Sequence, residues 1–316
     1  MKKKRPYLIV PVLLVLLVTA CATTGSRYRE GDNTGQETNL TVQDEQRLTQ
    51  EALPEMRKDY PPAKDQALQR YINQLGQKIV RANNLEGNPY HYTFTVVDVE
   101  DVNAFALPAG TVFVTAPLIA MATNEAELAG VVSHEIGHIM ARHTAERMYA
   151  MEKSQKKTWI YGAGGGLLGA ALGYGLGRAI CKEGDTGCLT SAATFGGAIG
   201  AVGGVMVQKY GFMANSREDE MEADRIGFRL AVNAGYDKNQ VGRFYERLLE
   251  MEKKRGKEGG AILKSLSDAL STHPPSEERV KQMKDLARES PAARNVLVDT
   301  AEFKRVRGVA ASWSRK

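Results

Sequence analysis

The segment His134-Glu135-Ile136-Gly137-His138 combines two imidazoles and a carboxylate at a spacing that can bind and use a metal ion. Residues four positions apart lie on one face of a helix, so His134 and His138 can reach the same ion. Zn²⁺ lowers the pKa of a water that it binds to about 7, and Glu135 is placed to take up the released proton. The spacing therefore predicts a zinc hydrolase site with two histidine ligands and one general base.

The residues before and within this segment favour a helix. Asn124 can cap its start, and Glu125 and Glu127 place negative charge in the first turn, where the helix dipole stabilises it. Gly137 destabilises a helix interior by about 1 kcal/mol, so its presence indicates the close approach of another part of the chain.

The third ligand is not a histidine at the metzincin spacing, because the diagnostic positions hold Ala141 and Thr144. The remaining common arrangement adds one carboxylate from a second helix. Residues 216–224 can open such a helix, with Glu220 as the ligand and Asp224, four residues later, orienting a ligating imidazole. The alternative is a solvated acidic helix start. We assign that simpler role to Glu218, Asp219 and Glu222.

Five motifs occur in order along the chain: residues 102–108 (VNAFALP), 124–128 (NEAEL), 134–138 (HEIGH), 216–224 (SREDEMEAD) and 272–275 (THPP). In this order they resemble the CAAX prenyl protease family of HExxH zinc metallopeptidases, and most closely its periplasmic lipoprotein branch. The resemblance covers roughly residues 40–290. It implies that His134, His138 and Glu220 bind zinc and that Glu135 is the general base.

His273 belongs to the same motif set and precedes two prolines at a helix start. It either stabilises the oxyanion that forms from the peptide carbonyl in the transition state, or caps the zinc in a resting state. The alternative is that it is an ordinary loop histidine. His143, by contrast, lies about 140° round the helix from His138 and is interpreted as structural. The resemblance is broken at Ala109, where family members often carry glycine, so the local turn is expected to differ.

The composition argues against a nucleic-acid-binding protein. The chain has 316 residues, 43% of them hydrophobic, which is enough for a sizeable core. Its 42 basic and 37 acidic residues give a net charge of +5, but four of the basic residues lie in a leader at positions 2–5. Without these four the charges nearly balance, and no strong field remains to attract nucleic acid.

The start of the chain has the pattern of a bacterial lipoprotein leader. Basic residues precede a short apolar run and then Thr19-Ala20-Cys21, which resembles a lipobox. Residues 1–20 are therefore predicted to be a signal peptide, with lipid on the thiol of Cys21. Ala22 at the next position resembles lipoproteins sorted to the outer membrane, and residues 21–40 would form a tether. The alternative, an uncleaved anchor, is disfavoured because the run is short for a ~30 Å hydrocarbon core.

Residues 158–208 are predicted to form a glycine-rich helical hairpin inserted between the two metal-binding helices. Glycines recur at every fourth position in both halves, a spacing that lets two helices pack closely. Cys181 and Cys188 lie at the turn and are predicted to form a disulfide in an oxidising periplasm. The hairpin either contacts a membrane or a barrel partner, or is a soluble hairpin over the active site.

Hydrophobic periodicity predicts an α+β protein that is mainly helical, a zincin-type domain with a small β-sheet. Helices are expected at 41–56 and 64–83, and strands at 91–99, 103–107 and 111–115, the last two paired as a β-hairpin. The metallopeptidase domain is predicted to span 41–290, and residues 291–316 to form a solvated basic C-terminal tail.

Together these features predict a zinc-dependent endopeptidase of the periplasm, lipid-anchored to the outer membrane. The resemblance implies misfolded or stalled outer-membrane proteins as substrates and the barrel assembly machinery as a candidate partner. Strand 111–115 is a candidate edge for holding a substrate in extended form. The alternative is a chaperone-like outer-membrane assembly factor with a largely latent zinc site, which would keep its function after Glu135→Gln.

Overall fold

The computed structural model describes residues 32–87, 89–161, 215–255 and 266–313. Within these ranges the helices, numbered in chain order, are α1 (Val42–Asp59), α2 (Gln66–Ala82), α3 (Ala116–Met121), α4 (Glu125–Met140), α5 (His143–Tyr161), α6 (Arg217–Asn233), α7 (Lys238–Val241), α8 (Arg243–Arg255), α9 (Ser267–Thr272), α10 (Glu277–Glu289) and α11 (Ala301–Trp313). The strands are β1 (Thr93–Val97), β2 (Ala104–Leu107) and β3 (Thr111–Thr115). The predicted α+β class, mainly helical with a small sheet, is confirmed.

Several predictions fall on residues that the structure does not describe. Cys21, Cys181, Cys188 and most of the predicted hairpin at 158–208 lie outside the described ranges. Among the helices inside those ranges, none is both long enough and apolar enough to cross a lipid bilayer.

The three strands form one sheet in the order β1-β3-β2. β2 pairs with β3 in antiparallel register, with Phe105 opposite Phe113, which confirms the predicted hairpin. β1 pairs with the other side of β3 in parallel. The prediction that Thr111–Thr115 is a free edge is therefore wrong, because β3 is the central strand. Its second partner comes from another part of the chain, and no local spacing indicates that pairing.

The turn between β2 and β3 contains the one departure from the family motif. Ala109 has a φ of 65°, in the left-handed region, where a side chain with a Cβ costs about 1–2 kcal/mol. Glycine adopts this conformation without that cost, which explains why it suits this position. The turn nevertheless forms with alanine and still connects the two paired strands.

Helix α4 is buried along its whole length from Glu125 to Ile139. Asn124 caps it as predicted, since its side chain accepts a hydrogen bond from the backbone N–H of Glu127. A helix that is buried on all sides needs neighbours on all sides. These neighbours include α2, α6, α7 and β2, so α4 is the central element that positions the candidate site.

Helices α4 and α6 pack backbone against backbone because each has a glycine facing the other. A Cβ on Gly137 would lie 2.9 Å from the carbonyl oxygen of Ala223. A Cβ on Gly227 would lie 2.7 Å from the backbone nitrogen of His134. The close approach indicated by Gly137 is therefore confirmed, and α6 is the element that approaches.

The segment before α1 is attached to the protein where the structure describes it. The side-chain amide of Asn33 donates to the carbonyl of Met140 at 2.9 Å, and that of Gln36 donates to the carbonyl of Ala141 at 2.7 Å. These bonds satisfy carbonyl groups that the end of α4 leaves without helical partners. The expected free tether at 21–40 is therefore wrong for this part, because its polar side chains cap a helix.

The C-terminal part of the chain also differs from expectation. Helix α11 buries Phe303, Val306 and Ala310 and packs against α2 and α3. The prediction that residues 291–316 form a solvated tail is wrong for this helix. Lys304 and Arg305 lie on its exposed side, whereas the buried residues form an apolar face with helical spacing, which the basic composition of the segment does not indicate.

Replacing Gly137 with alanine should push α4 away from α6, because the new Cβ has no room beside the carbonyl oxygen of Ala223. We expect the free energy of unfolding to fall by about 1–3 kcal/mol in urea denaturation at equilibrium. Gly308 offers a matched control, since it lies within α11 with open space at the position of a Cβ. Gly308→Ala should raise stability by up to about 1 kcal/mol. Equal effects of the two changes would contradict the close packing.

Candidate metal centre

Four side chains bring metal-binding atoms to one place. His134 and His138 extend from α4, Glu220 lies in the first turn of α6, and His273 is the residue that ends α9. One nitrogen or oxygen atom from each lies within 4.8 Å of those of the other three. Three of the residues are almost fully buried, and the side chain of His273 is 11% exposed. The structure thus brings together the residues selected from spacing and motif order.

The distances between these atoms suit a small tetrahedral cation. The carboxylate oxygens of Glu220 lie 3.4 Å from Nε2 of His134 and 3.3 Å from Nε2 of His138. Zinc bonds of 2.0–2.1 Å at tetrahedral angles would separate the ligand atoms by about 3.3 Å. The two histidine nitrogens lie only 2.9 Å apart, where two lone pairs repel unless a proton or a cation lies between them. The set of donors therefore fits Zn²⁺.

Asp224 lies behind His134, as its spacing from Glu220 predicts. Its Oδ1 lies 2.8 Å from Nδ1 of His134. This contact places the imidazole proton on Nδ1 and leaves Nε2, which faces Glu220, free to bind a metal.

Arg279 is part of the site and was missed in the sequence. Its guanidinium donates to both oxygens of Asp224 at 2.7 Å and approaches Oε2 of Glu220 at 2.5 Å. The arginine is 1% exposed, and it offsets the charge of two carboxylates that would otherwise be buried together. One sequence signal existed, because Arg279 shares the apolar face of α10 with Val280 and Met283.

Two further residues support this arrangement without any motif to mark them. Tyr245 from α8 is buried, with its ring 4.6 Å from Cζ of Arg279 and 5.3 Å from the ring of His134. Asn215, which precedes α6, donates from its amide to Oε1 of Glu220 at 2.7 Å. The two residues thus hold a carboxylate ligand and the arginine that pairs with it.

The acidic residues next to Glu220 are not all solvated. Glu218 is exposed as expected, but Asp219 is 4% exposed and Glu222 is fully buried. Glu222 lies 3.3 Å from Nε2 of His143, which is itself fully buried. The solvated interpretation is therefore wrong for Asp219 and Glu222. A charge run looks the same in sequence whether its members face water or a buried partner.

Burial lowers the pKa of His134, but the carboxylates of Glu220 and Asp224 outweigh burial and raise the pKa to about 9. At pH 7 the imidazole of His134 in the metal-free protein therefore carries a second proton and is positively charged. An entering metal ion must displace that proton. Burial raises the pKa of Glu220, but Arg279 and the histidines outweigh that effect and hold it well below its ordinary value. The ligand carboxylate is consequently charged at neutral pH.

Glu135 occupies the position of a proton acceptor beside the cluster. Burial raises its pKa, and the positive charges of His273 and His134 oppose that shift. Its Oε1 lies 3.6 Å from Nε2 of His273. A carboxylate whose pKa is raised accepts protons more readily, so the site can carry out general base catalysis.

Comparison with known proteins supports a peptidase. Residues 66–287 match the model of the family described as peptidase family M48. The β-barrel assembly-enhancing protease of Escherichia coli K12 is 27% identical over 248 residues, which are 78% of this chain and 45% of the relative. A putative β-barrel assembly-enhancing protease of Vibrio cholerae is 30% identical over 236 residues, which are 75% and 42% of the two chains.

The chain is also similar to a eukaryotic protein. The mitochondrial metalloendopeptidase OMA1 of Saccharomyces cerevisiae is 30% identical over 181 residues, 57% of this chain and 42% of the relative. The chain thus spans less than half the length of these three relatives. The family match covers well over half of the chain and includes the cluster of histidines and Glu220. The chain therefore belongs to peptidase family M48.

Proposed function

We propose that this chain is a zinc-dependent endopeptidase. One observation carries the proposal: the metal-binding atoms of His134, His138, Glu220 and His273 meet in one cluster, and Glu135 lies beside it. Membership of a peptidase family supports the same conclusion. We assign the zinc to His134, His138 and Glu220, with Asp224 orienting His134.

Residues of this chain have separate roles in peptide hydrolysis. Zn²⁺ at such a site supplies Lewis-acid chemistry, which activates water and polarises the peptide carbonyl. Glu135 takes the proton from the attacking water and passes it to the leaving nitrogen. Burial raises the pKa of Glu135 and thereby improves it as an acceptor. Arg279 and Asp224 keep Glu220 and His134 in place while this happens.

Strand β2 is the candidate surface for an extended substrate, in place of β3. It forms an edge of the sheet and packs against α4, which carries the histidines. No described strand pairs with its outer side. Backbone groups on a free strand edge can hold a peptide by adding it to the sheet, whatever its side chains. This mode suits a protease that acts on unfolded segments.

Glu135→Gln tests the enzymatic proposal, because glutamine keeps the shape of the side chain but cannot accept the proton. We expect zinc content to stay near one ion per chain by metal analysis, and casein cleavage to fall by about 10²–10⁴-fold. Glu86→Gln, at an exposed position, is the matched control and should change neither measurement. A variant that binds zinc and cleaves casein at the wild-type rate would contradict the proposal. Full cellular function without cleavage would favour the chaperone-like assembly factor.

We further propose that His273 caps the site in a resting state. Its Nδ1 lies 2.9 Å from Oε1 of Glu220 and 3.4 Å from Nε2 of His134, so it occupies a fourth donor position. Its Nε2 faces Glu135 at 3.6 Å. A histidine in this position competes with water and with substrate for the metal. Movement of the loop that follows α9 would then control activity.

His273→Ala should raise proteolysis, including self-cleavage, because the capping nitrogen is lost. Turnover of casein by the variant, measured against wild type, decides between the two roles. A fall of about 10²–10³-fold would instead assign His273 to stabilisation of the transition state. Activity within about twofold of wild type would reject both roles. His91→Ala is the matched control, since His91 is an exposed histidine outside the cluster.

We propose a periplasmic location with a lipid anchor in the outer membrane. Support comes from the leader pattern at residues 1–20 and from two bacterial relatives named for β-barrel assembly enhancement. On this proposal the chain is a member of the lipoprotein branch related to CAAX prenyl proteases. Its substrates are misfolded or stalled outer-membrane proteins, and its partner is the barrel assembly machinery. On this proposal the metallopeptidase domain starts at 41 and extends past 290 to include helix α11 (Ala301–Trp313).

Cys21→Ala should remove the lipid attachment site, so the protein should move to the soluble periplasmic fraction or remain uncleaved. Membrane fractionation and the mass of the mature N-terminus measure both outcomes. Cys181→Ala removes a different thiol and should leave fractionation unchanged. Normal processing together with unchanged membrane fractionation of Cys21→Ala would show that the leader is not a lipoprotein signal.

A further inference from the structure

A buried chain of contacts leads away from the rear of His138. Nδ1 of His143 lies 2.8 Å from Nδ1 of His138, and Nε2 of His143 lies 3.3 Å from Oε2 of Glu222. His143 and Glu222 are both fully buried. Asp219 lies near the same nitrogen of His143, at 3.8 Å. The described structure therefore connects His138 to carboxylates through a second imidazole that water does not reach.

Only one arrangement of protons in this chain leaves His138 able to bind a metal. An ionised carboxylate can only accept, so the proton of a neutral His143 lies on Nε2 and faces Glu222. Nδ1 of His143 is then an acceptor, and Nδ1 of His138 donates to it. Nε2 of His138, which faces Glu220 at 3.3 Å, is left with a free lone pair.

We propose that His143 and Glu222 are positioning residues that fix the tautomer and the orientation of His138 for metal binding. The proposal rests on the zinc site put forward above. Hydrogen-bond partners behind a ligating imidazole set which nitrogen carries the proton and stop the ring from rotating. The acidic start of α6 would thus support both histidines, since Asp224 does the same for His134 by direct contact.

The two histidines are supported in different ways. Nδ1 of His134 lies 2.8 Å from a carboxylate oxygen, whereas Nδ1 of His138 lies at the same distance from the imidazole of His143. Without His143, the Nδ1–H group of His138 would have no acceptor at that position in the buried interior. The ring could then move its proton to Nε2, where it blocks the metal, or rotate to find another partner.

The zinc affinity of the full-length protein distinguishes a positioning role of His143 from a role in packing alone. Purified metal-free wild type, His143→Leu and His143→Gln are titrated against a chromophoric chelator. Leucine fills the space without an acceptor, so binding should weaken by about 10–100-fold. Glutamine offers an oxygen that can accept a hydrogen bond from Nδ1–H of His138. The His143→Gln variant should therefore bind zinc at least about tenfold more tightly than the His143→Leu variant. His91→Leu, an exposed control, should bind zinc as wild type does.

Each outcome decides the proposal. Wild-type affinity in His143→Leu would overturn the positioning role and leave the zinc site intact. Equal losses in the leucine and glutamine variants would assign His143 to packing and would also overturn it. A wild-type protein that binds no zinc would defeat the proposed function and the positioning role together.

Glu222 gives a second pair of variants if those at His143 do not fold by circular dichroism. Glu222→Gln keeps an acceptor for Nε2–H of His143, and Glu222→Leu removes it. The leucine variant should bind zinc about tenfold more weakly than the glutamine variant. Equal affinities in these two folded variants would overturn the proposal.

Discussion

Two carboxylates, Glu220 and Asp224, share the guanidinium of Arg279 in a region from which water is excluded. None of these groups is stable in such a place alone, since removing one partner of a buried ion pair costs about 3–5 kcal/mol. Helix α6 supplies both carboxylates and α10 supplies the arginine, so the three charges become buried only when the two helices dock. That docking sets Glu220 opposite His134 and His138 and thereby builds the metal-binding cluster.

The same balance of charge explains why the cluster attracts a cation. Arg279 offsets one of the two negative charges, and the other remains among the imidazoles of the cluster. In the metal-free protein a proton on His134 supplies the missing positive charge, which is why the pKa of this histidine rises to about 9 despite its burial. A divalent metal supplies that charge more effectively, and it displaces the proton when it binds. Burial, charge and metal preference are therefore consequences of one arrangement.

The segment that carries His273 is attached to the same network by hydrogen bonds from Arg279 and Asn215. Arg279 donates to the carbonyl of Pro274 at 3.2 Å, and Asn215 donates to the carbonyl of Thr272 at 3.2 Å. The glycine contacts between α4 and α6, by contrast, join two backbones without intervening side chains. The capping role proposed for His273 requires this segment to move while the closely packed helix pair keeps the other ligands fixed.

The amino-acid sequence alone determined helix α4, its cap at Asn124 and the common face of His134 and His138, because those features depend only on residues within a few positions of one another. Motif order added Glu220 and Asp224. Tertiary structure alone decided that Glu222 is buried, that Arg279 pairs with a carboxylate 55 residues away, that β1 joins β3, and that α11 docks. The sequence does not distinguish a charged residue that is exposed to water from one that is buried in the core. Which place it occupies depends on whether an opposite charge meets it there, and only the folded chain brings that partner.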